Sequence, residues 1–158
     1  MNSMRDIGRK LISDGEFNRM LMDTLAWAGD YMAGQESICP YLLAFYADPE
    51  DSYSLTALVT PGWSSSEEKD LMMMGMGMQA AEIAAPLAAV YLVTEAWMTQ
   101  RPEAEGLPNV PPSEDPERME VVIISGSTLD MRQNQAIIHI ECQEGLMAAV
   151  MNFRTGCC

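Results

Sequence analysis

Between Pro86 and a proline-rich stretch runs an unbroken apolar segment, Leu87 to Met98, with Val90, Tyr91, Leu92 and Val93 at its centre. A run of this kind without an internal turn residue reads as a central strand covered on both faces, so the rest of the chain must supply a sheet around it and packing against it. The flanking segments meet that demand. Tyr41 to Tyr46 is a short aromatic-rich run followed by the turn residues 48–52, after which Tyr53, Leu55, Ala57 and Val59 alternate with Ser54, Thr56 and Thr60. The pattern predicts a hairpin whose second strand is exposed on one face. Beyond residue 118, Met119 to Ser125 places Val121 and Ile123 on one side and Val122 and Ile124 on the other. Ala136, Ile138, Ile140 and Cys142 then alternate with Gln135, His139 and Glu141, and a turn at 143–145 leads into a last strand from Leu146 to Phe153.

Two regions carry helical spacing. Residues 4–33 read as helix in two pieces, the second restarted by a capping box at Ser13 and Glu16 and followed by an apolar stripe of Phe17, Leu21, Leu25, Ala28 and Met32. Ser64, Ser65 and Ser66 with Glu67 and Glu68 predict a second start, and a helix to about Ala84. This helix holds Met72, Met73, Met74, Met76 and Met78 around Gly75 and Gly77. Each glycine costs about 1 kcal/mol relative to Ala in a helix interior, which suggests close approach by a neighbouring backbone. Leu71, Met74, Met78, Ala81 and Ala85 form the expected packed stripe, with the helix sandwiched between the sheet and the N-terminal helix.

The resulting order is two helices, two strands, a helix and four strands. Short connections between consecutive strands favour antiparallel pairing, so the expected fold is α+β: a mainly antiparallel sheet of about six strands with the N-terminal helices and one central Met-rich helix packed on it. At 158 residues the chain is one domain, 1–158, with a helical segment at 1–34 and a proline-rich acidic loop at 101–118 that holds five prolines.

Charge narrows the function. Nine Lys and Arg against 23 Asp and Glu give a net charge of −14. A field of that sign repels phosphate, which argues against direct nucleic-acid binding and against anionic membranes, and favours a protein partner with a basic surface. No apolar window is long enough to span a bilayer. No sustained apolar region follows Lys10, since Leu11 and Ile12 give way to polar residues, so no secretory leader is expected. Cys39, Cys142, Cys157 and Cys158 lack any disulfide or zinc-finger spacing. Cys39 and Cys142 read as small buried hydrophobes, and a reducing, cytoplasmic location follows.

Catalytic parts are scarce. There is no phosphate-binding loop, dinucleotide fingerprint or nucleophile elbow, and no cofactor or metal is expected from the sequence. The single histidine, His139, sits mid-strand among isoleucines and reads as a cross-strand polar residue, with catalysis as the alternative. Glu95 falls within the most apolar strand, beside Tyr91, Val93 and Trp97. Its carboxylate needs a partner there, for which Arg118 or Arg132 is expected. It could serve as a general acid or base, or join Glu114, Asp115 and Glu117 around a hard cation. Those three acids, Arg118, and Met73 and Met76 of the helix are the candidate binding residues.

Pro112, Ser113, Pro116, Arg118, Glu120 and Val121, taken with Glu95 and Trp97, resemble a pattern in small uncharacterised prokaryotic and phage proteins: an apolar strand ending Glu-x-Trp, then Pro-Ser-x-x-Pro-x-Arg-x-Glu-Val. The resemblance covers about residues 86–125 and implies no activity. Its physical content is a turn nucleated by Ser or Asp, fixed by Pro116, with Arg118 and Glu120 in polar contacts as the next strand begins. Two function classes follow. One is a non-catalytic acidic binding or regulatory protein, with a phage-encoded inhibitor as one form. The other is a small hydrolase or metal-dependent enzyme using Glu95 and the acidic loop. The apolar surface of the Met-rich helix further predicts a homodimer or a dedicated partner on that face.

Overall fold

The chain is described by a computed structural model at residues 11–33, 37–48, 50, 52–60, 62–83, 86–99, 101, 105–106, 109–143 and 146–152, by backbone alone from 141 onwards. Helix α1 spans Asp14–Met32 and opens on the expected box: Ser13 Oγ accepts from the Glu16 amide while the Glu16 carboxylate accepts from the Ser13 amide. Residues 4–10, expected to hold an earlier helical piece, lie outside the described residues. Strands β1 (Tyr41–Ala47) and β2 (Tyr53–Val59) form the hairpin, α2 (Ser66–Glu82) follows, and then β3 (Leu87–Met98), β4 (Met119–Thr128), β5 (Gln133–Gln143) and β6 (Leu146–Asn152). The architecture is α+β, and the sheet is antiparallel in the order β2-β1-β3-β4-β5-β6. β2 and β3 both run antiparallel to β1, which lies between them, so they are parallel to each other and α2 is the crossover that parallel strands require.

The pleat divides the side chains between two cores. On one face α1 lays Phe17, Met20, Leu21, Leu25, Ala28 and Met32 over Leu43, Tyr91, Val93, Val122, Ile124 and Ile138. Full burial of each such aliphatic or aromatic side chain contributes about 1.5–3 kcal/mol, so this layer supplies most of the apolar driving force. Tyr91 is anchored at its polar end, its hydroxyl donating to the Phe17 carbonyl at 2.7 Å. Room for its ring depends on Gly126, opposite Tyr91 in β4: a Cβ there would come within 2.3 Å of the ring and of the Asn134 side chain.

The opposite face carries α2. Met76 and Ala80 pack on Leu42, Ala44 and Tyr46, with Met73 and Leu58 half-buried beside them, and the Tyr46 hydroxyl donates to the Ala80 carbonyl at 2.7 Å. The Met-rich helix is therefore not sandwiched between α1 and the sheet; the sheet separates the two helices. Nor is the packed stripe the expected one. Leu71, Met74 and Met78 are each more than 60% exposed, Ala81 is exposed, and Ala85 lies outside the described residues. Gly75 and Gly77 face open space, with nothing within 4 Å of an added Cβ, so no neighbouring backbone explains them.

Exposure in β2 and at Cys39 adds two smaller points. In β2 the apolar set is the exposed one: Leu55, Ala57 and Val59 point to solvent while Thr56 and Leu58 are half-buried. They share the α1 face, where α1 reaches β2 at Tyr53, whose hydroxyl donates to Glu16 at 2.6 Å, and leaves Leu55, Ala57 and Val59 open. Cys39 is exposed, not buried.

Candidate functional site: the aromatic and acidic end of the sheet

From Ala89 onward the odd-numbered residues of β3 share the α1 face with Tyr41, which pairs with Val93. Glu95 therefore stands one step past the start of β1. Its Oε1 accepts a 2.6 Å hydrogen bond from the Ile38 amide, on the segment that leads into β1. Burial pushes the Glu95 carboxyl above its ordinary range, the Ile38 bond pulls it partly back, and the nearby Glu120 carboxylate adds to the rise. The expected partners of Glu95 are engaged elsewhere. Arg132 binds Asp14, Asp130 and the Ile12 carbonyl, tying the start of α1 to the β4–β5 turn. Arg118 donates to the Ser113 carbonyl at 2.7 Å and lays its guanidinium 4.6 Å from the Trp97 ring centre.

The acidic loop is fastened by Arg101, which the sequence did not single out, acting on Asp115. Asp115 is fully buried, and its Oδ2 accepts from Arg101 at 2.8 Å and from Thr99 at 3.3 Å, while its Oδ1 accepts from the Glu117 amide at 2.9 Å. The Arg101 bond, then the Glu117 amide, hold the Asp115 carboxyl below the usual range. Both oxygens are thus spent on locking the loop to the end of β3, a structural role in place of the expected binding one. Glu114 and Glu117 remain exposed, the latter 3.8 Å from Arg101. Among the described residues no three His, Cys, Asp or Glu side chains converge as a metal site.

The second component comes from α1. Trp27 and Tyr31, one helical turn apart, stack at 5.2 Å with their planes 5° apart, and both stand edge-on to Tyr41. Both are partly exposed, at 37% and 41%. Tyr41 beneath them is buried, its hydroxyl without a hydrogen-bond partner among the described residues, and burial raises the phenol's pKa so that it stays protonated. Trp97 lies on the same sheet face, 45% exposed and paired in register with Glu120. One end of the α1 face thus gathers Trp27, Tyr31, Trp97, Glu95 and Glu120, with Glu114 and Glu117 on the adjoining loop. Aromatic faces beside carboxylates attract guanidinium and ammonium groups, and Arg118 on Trp97 is a resident example.

His139 is not part of this site. It pairs with Val121 on the opposite face of the sheet from Glu95, half-buried, and makes no hydrogen bond or ion pair among the described residues. Met76 is in the core and Met73 is half-buried on the sheet side of α2, so the exposed apolar face of that helix belongs instead to Leu71, Met74 and Met78. Trp27, Tyr31 and Arg101 escaped the sequence reading. The four-residue spacing of the two aromatics was the available signal for the first pair, and the position of Arg101 as the one base within the acids of 101–117 was the signal for the third.

No family model, curated protein or solved structure matches this chain. No helix among the described residues is long and apolar enough to cross a membrane.

Proposed function

We propose that this is a non-catalytic binding or regulatory protein that engages a partner through that partner's basic surface. A phage-encoded inhibitor is one form such a protein takes. The observation that carries the reading is the exposed aromatic trio Trp27, Tyr31 and Trp97 set among carboxylates on a chain of net charge −14. The long-range field would speed encounter with a cationic partner, and the aromatic faces would fix arginine or lysine side chains once it docks. The small-hydrolase reading is the weaker of the two, because Glu95 is committed to the Ile38 amide and His139 stands across the sheet from it.

The test is affinity capture from the native host with the full chain as bait. A stoichiometric basic protein retained at low salt and released near 1 M salt, where the screening length falls to about 3 Å, supports the reading. Capture that is indifferent to salt, or lost in no degree by Trp97→Ala, contradicts it.

A further inference from the structure

The margin of the sheet at β2 carries an interaction surface of its own. The bonds from the Thr60 amide to the Pro40 carbonyl and from the Asp48 amide to the Ser52 carbonyl fix the phase of the β1–β2 ladder. Even-numbered residues of β2 exchange hydrogen bonds with β1, and the backbone groups of Leu55, Ala57 and Val59 point away from the sheet. Among the described residues β2 pairs with β1 alone. Edge strands are ordinarily guarded by a charge, a proline or a bulge. Residues 53–60 contain none of the chain's Lys, Arg, Asp, Glu or Pro, and Leu55 and Val59 expose 46% and 63% of their surface.

We infer that β2 joins β2 of a second copy of this chain, antiparallel about a two-fold axis through Thr56, to make one continuous sheet. Three features select a second copy in this register. With Thr56 facing its own equivalent, Leu55 of each copy faces Ala57 of the other, so outward backbone groups meet outward backbone groups and the apolar sides coincide. Two chains of charge −14 can approach only along an uncharged stretch, and this strand is one. The antiparallel sense also carries the acidic turns at Asp48 and Glu50 to opposite ends of the junction. Seven residues at about 3.4 Å each set them roughly 20 Å apart, beyond a screening length of about 8 Å, whereas parallel pairing would set acid beside acid.

Sedimentation velocity over a concentration series tests this directly. Wild-type protein should show a dimer whose fraction rises with concentration and also with salt, since screening relieves repulsion between the copies. That salt response is opposite in sign to the one expected for a basic partner, so failure of either idea leaves the other standing. Ala57→Lys, at an exposed position, should give a folded monomer at every concentration, melting with wild type at dilutions where wild type is itself monomeric. Thr56→Cys should cross-link on mild oxidation in excess of wild type, because residues facing each other in a non-hydrogen-bonded antiparallel pair have Cα atoms about 4.5 Å apart, within disulfide reach. A wild-type monomer at every concentration overturns the inference. So does a dimer that survives Ala57→Lys, which would place the junction at β6 or on α2.

Discussion

The two helices lie on opposite faces of one sheet and are built on different terms. α1 has a single apolar stripe, a reciprocal cap at Ser13 and Glu16, and seven buried residues, Thr24 among them. α2 buries only Met76 and Ala80, exposes Leu71, Met74 and Met78 on its far side, and holds Gly75 and Gly77 in open space. The lesson is that α1 is explained by packing within this chain, whereas half of α2 is apolar with no contact among the described residues to account for it. Stability should accordingly concentrate on the α1 side of the sheet.

The sharpest way to break that contrast is at Gly126. A methyl there would collide with the Tyr91 ring and Asn134. Gly126→Ala should therefore cost about 3 kcal/mol, at the upper end for overpacking a core, measured by urea denaturation. A neutral result would mean that the α1 core is loose. Next come the matched truncations. Met20→Ala under α1 should cost about 3 kcal/mol, and Met76→Ala under α2 nearer 2, since the thinner layer above β1 can collapse into the gap. Equal losses would remove the asymmetry.

How much of this could be read from residues alone follows from the same contrast. The Ser13 box and the stripe from Phe17 to Met32 have one phase, so both the start and the buried face of α1 were legible. In α2, methionines at 72, 73, 74, 76 and 78 put an apolar group at nearly every angle, leaving no phase to read; the sheet chose Met76 and Ala80. β2 shows a related limit. Its alternation announced two faces correctly but not how far α1 would extend over the apolar one, which is open beyond Tyr53. The site was visible only in parts. Glu95 and Trp97 stood out by position, but the partner of Glu95 is a backbone amide 57 residues away, which carries no side-chain signature.

A smaller effect sharpens the reading of α2. Gly75→Ala and Gly77→Ala meet no atom within 4 Å and sit mid-helix, so each should raise stability by about 0.8–1 kcal/mol in thermal or urea unfolding. A loss instead would reveal a contact on that face. The smallest expected effect is at Glu95. Its folded carboxyl binds a proton more readily than in the unfolded chain, so the folded state holds more protons between the two pKa values and stability declines as pH rises from the ordinary carboxylate range through the raised one. Glu95→Gln keeps an oxygen to accept from Ile38 and removes that decline. Melting curves of the two proteins should coincide at acid pH, with the variant equal or slightly higher at neutral pH. A variant that melts lower at neutral pH would show the anion to be favoured.

The central claim, that the aromatic and acidic end of the α1 face takes cationic side chains, is tested most directly by titrating the protein with an arginine-rich peptide while following tryptophan fluorescence, alongside a glutamate-rich peptide of equal length. The account predicts a saturable change with the arginine peptide alone, weakened by salt and by Trp97→Ala. No binding, or binding that is equal for both peptides and untouched by Trp97→Ala, would contradict it.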